Sequence, residues 1–519
     1  HPRQKSEVVL GFGSLYWDAH SGLTAATLMK AAWSVVTSRL LDSTEALFGS
    51  TATASQAILP VRVLVDPSSN VGDLLHAVQA QAAKMAAFSR SQLYHIRSLG
   101  HEAALACEFQ TVLLVTDQSS DGRGEESETA LDVMSDGGMG RFEKCALVGE
   151  FRQSPDSMRM SLRFDGAVIE ETQIVRLGHQ FEQVLRQLMH PDLRHTKLRD
   201  VAVASTQDVR DIWVWNSVVP DAAETCVHDL IIQRARQRPH DPAIAAWDGT
   251  LTYGQLHERS DCLAHELVKR GVRRGSIVPL LFEKSMWMAV AALAAMKAGA
   301  AAVATDTTTQ PEDRLRTMAA QANARLCLSS ESNRDLAGRL GIDDVVVVSQ
   351  NTDFAQVAPG TNLASVRPSD ILYVVFTSGS TGTPKGAKVT HRNIATALHH
   401  QREALGYSQS SRVLDFSSYA FDVCWSNMLN ALTAGACLCV PSMEERQNDL
   451  SGTLIKYGVT LADFTPSIAR HTVGLEGLST LILGGEVVLP TDRALASATA
   501  KVCSAYGPAE CTPTATILD

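Results

Sequence analysis

The chain has 519 residues, 45% of them hydrophobic and 20% charged, and a net charge of −10. On the usual allowance of about 150 residues per domain it holds more than one domain, and its composition can bury large cores. No run of Lys and Arg reaches five residues, apolar stretches such as 286–296 fall short of a membrane span, and the ten cysteines form no C-x-x-C pair, so nucleic acid, a membrane anchor, a disulfide framework and a zinc site are not expected.

The N-terminal region alternates helix-like and strand-like spacing. Apolar periodicity predicts helices over 24–38, 71–85 and 171–188, and strands over 58–65 (interrupted by Pro60), 109–116 and 158–164. Residues 117–140, rich in Ser, Asp, Gly and Glu, read as a mobile loop. Residues 205–225 are polar with Trp213 and Trp215 embedded; two exposed tryptophans are unfavourable, so this stretch is expected to be a docked linker. From Val227 the pattern becomes α/β: a helix over 227–236, a strand over 243–246, a helix starting within Leu251-Thr-Tyr-Gly-Gln-Leu256, then a strand at 277–282, a Met/Ala-rich helix to Met296 and a strand at 297–303. Repeated βαβ units imply parallel sheets covered on both faces. Cys437 and Cys439 alternate with Leu438 and fall on one face of a predicted strand, where packing in a reducing environment explains them.

Residues 371–376, Ile-Leu-Tyr-Val-Val-Phe, lead into Thr-Ser-Gly-Ser-Thr-Gly-Thr-Pro-Lys-Gly at 377–386. A buried strand ending in such a loop suits a nucleoside triphosphate. Glycines let backbone N–H groups approach phosphate oxygens, hydroxyls donate further bonds, and Lys385 supplies charge. It is not a Walker loop, because Pro384 precedes Lys385 and Gly386 follows it.

This loop resembles the phosphate-binding signature of the adenylate-forming enzymes, and the chain as a whole resembles a fungal-type non-ribosomal peptide synthetase. The likeness implies an α/β fold. Residues 1–200 resemble the C-terminal part of a condensation domain, a partial lobe of the chloramphenicol-acetyltransferase type with an exposed apolar face. Residues 201–225 resemble an inter-domain linker, and 226–519 the N-terminal core of an adenylation domain with two stacked mixed sheets. The implied reaction is ATP-dependent activation of an amino acid as aminoacyl-AMP, with release of pyrophosphate, for loading onto a carrier domain and peptide-bond formation. ATP and Mg²⁺ are the implied cofactors, with phosphopantetheine on a carrier domain outside this chain. The implied partners are the amino acid and the carrier domains, and the implied compartment is the cytoplasm.

By the same likeness, Thr377, Ser378, Gly379, Ser380, Thr381, Gly382, Thr383 and Lys385 embrace the β- and γ-phosphates. Ala505-Tyr-Gly-Pro-Ala-Glu510 resembles the family's Tyr-Gly-Pro-Thr-Glu, so Tyr506 would stack on adenine and Glu510 would ligate Mg²⁺. Lys385 and Glu510 are the catalytic candidates. Gly484, Gly485, Glu486, Ser504 and Ala505 complete the nucleoside wall. Ala509 replaces a Thr that helps hold phosphate, and Ser504 replaces an Asn that faces the adenine edge; each change removes about one hydrogen bond, ~0.5–1.5 kcal/mol. Asp422 is expected to meet the α-ammonium, since a buried Asp is costly without a partner. The side-chain pocket is then lined by Val423, Ser426, Asp463, Ile482, Gly484, Ala505, Pro513 and Thr514. Asp463 as a second buried carboxylate calls for a donor or positive charge on the ligand. The set resembles pockets for ornithine-like residues, including the modified ornithines of fungal siderophores; the competing accounts are a neutral polar partner or a protonated Asp463.

Several features depart from the family. Its condensation motif His-His-x-x-x-Asp-Gly is absent, and His399-His400 is not that motif. Residues 49–58 run into Leu59-Pro-Val-Arg sooner than expected. The family's ribose-binding Asp and its mobile C-terminal lobe with a catalytic Lys would lie beyond Asp519, which implies a piece of a longer chain. The alternatives are an acyl- or aryl-CoA ligase, which lacks the condensation lobe and seldom has an Asp at position 422, and a decayed synthetase serving as a non-catalytic scaffold.

Overall fold

The computed structural model describes residues 5–12, 22–51, 58–88, 91–117, 145–154, 157–352, 363, 365–377, 384–497 and 499–518. It divides into two compact units, His1–Val219 and Pro220–Asp519. Among the described residues no helix is long and apolar enough to cross a membrane.

In the first unit the strands are β1 (Lys5–Phe12), β2 (Glu45–Thr51), β3 (Ile58–Leu64), β4 (Thr111–Asp117), β5 (Leu147–Ser154) and β6 (Ser157–Asp165). They form one mixed sheet in the order β1-β6-β5-β4-β2-β3. Pro60 is tolerated because β3 is an edge strand. Helices Ala25–Leu40, Val71–Ala86 and Glu171–Met189 run one or two residues past the predicted ends. The first starts at Thr24, whose hydroxyl accepts the Thr27 amide at 3.2 Å. Trp33, Phe151, Phe181 and Leu162 fill the core between these helices and one sheet face. On the opposite face Glu7, Glu150, Arg152, Arg159, Ser161 and Arg163 line a polar surface with Val9 among them over β1, β5 and β6, while Ile58, Val112, Leu114 and Val148 form a separate apolar cluster beside it. Alternation along β1 and β6 explains the polar part, where the apolar residues turn to the helices. Of the expected loop at 117–140 and the shortened stretch at 49–58, residues 118–140 and 52–57 lie outside the described residues.

The expected linker contains a helix, Thr206–Trp215, held by a reciprocal cap between Ser205 and Asp208. Asp208 is buried and accepts from Gln180 at 3.2 Å. Arg176 lies 5.3 Å over the Trp215 ring, yet Trp213 and Trp215 are 73% and 63% exposed. Within the first unit the helix is anchored through its buried cap rather than through these rings.

In the second unit the strands are β7 (Pro242–Ala246), β8 (Gly249–Thr252), β9 (Ile277–Phe282), β10 (Ala301–Asp306), β11 (Leu326–Ser329), β12 (Asp344–Val347), β13 (Ile371–Thr377), β14 (Lys385–Thr390), β15 (Arg412–Leu414), β16 (Cys437–Val440), β17 (Leu461–Phe464), β18 (Thr480–Gly484), β19 (Val502–Tyr506) and β20 (Thr516–Leu518). They make two mixed sheets, β12-β11-β9-β10-β13-β14 and β20-β19-β18-β17-β15-β16-β7-β8. Only the edge pairs β13–β14, β7–β8 and β19–β20 are antiparallel. The Met/Ala-rich helix Met286–Lys297 is buried throughout. The strand expected over 297–303 begins only at Ala301, because Lys297 closes the helix and Gly299 takes a φ of +76°. Cys437 and Cys439 share one core face while Leu438 faces the other.

Candidate active site

The parallel strands of the larger sheet end along one rim, where open α/β sheets place their ligands. β17, β18 and β19 lie side by side, with Asp463 opposite Ile482 and Gly484 opposite Ala505. A cavity of about 830 Å³ opens over these ends. It brings together Asp422, Val423, Ser426, Asp463, Gly484, Gly485, Glu486, Ser504, Ala505, Tyr506, Pro513 and Thr514. Ile482 is not on its wall; it is 1% exposed and packs in the core.

Backbone fit shapes the cavity. A Cβ on Gly484 would stand 3.0 Å from the Ala505 carbonyl oxygen, and one on Gly507 2.2 Å from that of Pro513. Only glycine permits these approaches. The Thr514 carbonyl accepts from Gln401 Nε2 at 2.8 Å, tying the wall to the helix His391–Gln401.

Two carboxylates dominate the electrostatics. Asp422 directly precedes helix Val423–Ala434 and lines the cavity. Burial, reinforced by the Glu510 charge, raises its pKa to about 6. Asp463 projects from β17 between Ala462 and Phe464, which pack in the core. Burial, then the Asp422 charge, pushes Asp463 up to about 7. The basic residue on the cavity wall is Arg446, whose Nη1 donates to the Phe416 carbonyl at 3.1 Å. Glu486 is held elsewhere: its carboxylate accepts from the Ser467 amide at 3.0 Å and hydroxyl at 2.7 Å.

Ser378, Gly379, Ser380, Thr381, Gly382 and Thr383 lie outside the described residues. Thr377 and Lys385, which flank them, are a register pair in the β13–β14 hairpin. Lys385 is thus the exposed first residue of a strand rather than part of the loop. β14 lies against the turn Ala509–Cys511, which carries the exposed Glu510. Thr377, Lys385 and Glu510 do not line the cavity. Tyr506 is 71% exposed at its mouth and presents a free ring face.

Other wall residues had no local signal. Phe416, Ser417 and Ser418 follow β15, Arg446 follows β16, and Thr465 follows β17; the strand-end rule would have found them. Behind this wall Asp306, at the end of β10, accepts from Ser418, from the Thr308 hydroxyl at 2.6 Å and from the Thr309 amide at 3.1 Å. Burial alone would raise its pKa, but these bonds hold it near 2. Away from the cavity, Cys226, His228 and His391 converge with ligand atoms within 4.8 Å of one another. The Val227 amide donates to His391 Nδ1 at 3.2 Å, and the Cys226 thiol lies 3.5 Å from the Val366 carbonyl oxygen, so the thiol and one His391 nitrogen already serve the backbone.

The sequence model of the AMP-binding enzyme family matches residues 231–519. Nonribosomal peptide synthetase ungA' of Aspergillus campestris is 40% identical over 97% of this chain and 6% of that protein. Peramine synthetase ppzA of Metarhizium rileyi is 36% identical over 95% of this chain and 18% of that protein. The chain therefore spans less than a fifth of these relatives. Among solved structures, the four-domain nonribosomal peptide synthetase AB3403, bound to AMP and glycine, shares the fold with a TM-score of 0.65 at 16% identity, over 100% of this chain and 42% of that one. The AMPPNP-bound form of the nonribosomal peptide synthetase FmoA3 does so with a TM-score of 0.60 at 18% identity, over 99% and 58%.

Proposed function

The chain belongs to the AMP-binding enzyme family, and from that premise we propose that it activates an amino acid with a cationic or hydrogen-bond-donating side chain as its aminoacyl-adenylate. The class is an adenylating ligase of the nonribosomal peptide synthetase type. One observation carries the substrate reading: Asp422 and Asp463 line the same cavity, and each has its pKa raised by burial, with no ion-pair partner among the described residues. An α-ammonium satisfies one carboxylate. A second donor or charge on the side chain satisfies the other, and an ornithine-type residue supplies it. An isolated buried charge is otherwise strongly unfavourable.

The chain's own residues then bind and orient. Asp422 fixes the amino group, and Asp463 selects the side chain. Tyr506 offers its face to the adenine, and Thr377 and Lys385 flank the segment that meets the phosphates. Catalysis of this kind rests on positioning the carboxylate against the α-phosphate and on charge stabilisation. Glu510, a carboxylate with no ion-pair partner among the described residues, fits Mg²⁺ as a hard oxygen donor; the bound ion would neutralise phosphate charge. The first unit, a mixed sheet backed by helices, supports a condensation-domain half. The product would pass as an acyl group to the phosphopantetheine of a carrier domain, in a siderophore-type synthetase if the residue is an ornithine derivative.

ATP–pyrophosphate exchange by the synthetase containing this chain, across a panel of amino acids, tests the reading. Ornithine-type residues are expected to lead. A preference for small aliphatic or aromatic residues over every ornithine derivative would reject the substrate class.

A further inference from the structure

Arg234 and Arg402 stand together on the wall of a second pocket that shares no lining residue with the cavity over β17–β19. Arg234 belongs to helix Val227–Gln237, and Arg402 follows Gln401. Both guanidiniums are anchored on one residue. Arg234 Nε donates to the Thr433 carbonyl at 3.0 Å, and Arg402 Nη2 donates to the Thr433 hydroxyl at 2.7 Å. The pocket has a volume of about 120 Å³ and is lined also by Thr225, Gln233 and His399. At ~30 Å³ per water, that volume holds about four waters or one tetrahedral oxyanion.

The charge balance of this pocket is unusual. Among the described residues no carboxylate forms an ion pair with either arginine, and Arg402 Nε is buried without a hydrogen-bond partner. Burial, then the Arg234 charge, lowers the Arg402 pKa, yet a guanidinium keeps its proton in proteins. Two half-buried positive charges side by side on the wall of one small pocket, whose other walls are Thr225, Gln233, His399 and Thr433 on the polar side and Ala223, Leu230, Ala395 and Leu398 on the apolar side, need a counter-charge. Guanidinium forks match the oxygens of a phosphate group.

We propose that the Arg234–Arg402 pocket is a binding site for a phosphate-type oxyanion, separate from the cavity over β17–β19. The test is titration of the purified chain with inorganic phosphate, followed by ³¹P line broadening and by thermal unfolding. Wild type is expected to show saturable binding and a rise in melting temperature. Arg402→Gln and Arg234→Gln are expected to weaken phosphate about tenfold or more. Should Arg402→Gln fail to fold, Arg402→Lys keeps the charge without the planar fork and should bind more weakly than wild type. Undiminished affinity in the arginine variants, or no saturable binding to wild type, would overturn the proposal.

Discussion

Lys284 and Asp415 form a 2.6 Å ion pair with side chains only 6% and 3% exposed. The second Asp415 oxygen accepts the Tyr419 hydroxyl at 3.1 Å, and the Lys284 ammonium sits 4.0 Å over the Tyr419 ring. Asp415 opens the loop that ends at Asp422, and Tyr419 lies within it. One ion pair thus fixes both the start and the middle of the segment that presents the substrate-facing carboxylate.

Removing one partner strands a buried charge, which costs about 3–5 kcal/mol. Lys284→Met and Asp415→Asn are each expected to lose stability of that order in denaturant unfolding. The double variant Lys284→Met/Asp415→Leu should regain much of it, since no charge is left unpaired. Equal loss in the double and single variants would mean that the pair stabilises through packing alone.

Asp422 is expected to control the pH dependence of amino-acid binding. It must be ionised to receive an ammonium, and in the free cavity its pKa is about 6. Below that value the amino-acid Kd should worsen about tenfold per pH unit, and above it the Kd should level off. Calorimetry between pH 5 and 8 measures this, in an Asp463→Asn background because Asp463 titrates in the same range. Adding Asp422→Asn should leave binding weak and independent of pH; a profile that kept its slope would remove Asp422 from the ammonium site.

The frame of this unit could be read along the chain wherever a pattern was local. β9 matches its apolar run residue for residue, and Cys437 and Cys439 share a face because strand alternation places them there. Asp463, Gly484 and Ala505 were grouped through the family likeness alone, and the structure brings them together near the ends of adjacent parallel strands. Relations that depend on packing had no such mark. Lys284 and Asp415 are 131 positions apart, and neither carries a motif. Ile482 looked like a wall residue, but its strand buries it. Lys385 looked like a loop residue, but pairing with Thr377 makes it a strand start.

Asp463 should make stability fall with rising pH. Its folded pKa, near 7, is above the ordinary 3.8, so the fold favours the protonated form. That contribution is complete below about pH 3.8 and is lost as pH rises through 7. Asp463→Asn is therefore expected to be nearly neutral at pH 4 and to stabilise the chain by ~1 kcal/mol or more at pH 8. Denaturant midpoints at the two pH values decide it; a variant less stable than wild type at pH 8 would show that Asp463 has a partner that offsets its charge.

Glu510→Gln should act on two ligands in opposite directions. The Glu510 carboxylate faces no basic partner among the described residues and fits Mg²⁺, so the amide should weaken Mg²⁺-dependent nucleotide binding about tenfold. The same charge helps raise the Asp422 pKa. Its removal lowers that pKa, and at pH 6 a larger fraction of Asp422 is ionised. Amino-acid affinity at pH 6 should then improve in Glu510→Gln while nucleotide affinity falls, and at pH 8, where Asp422 is ionised in both proteins, the gain should vanish. A general disruption of the Ala509–Cys511 turn would weaken both ligands at both pH values, so the sign of the amino-acid effect at pH 6 separates an electrostatic role for Glu510 from a merely structural one.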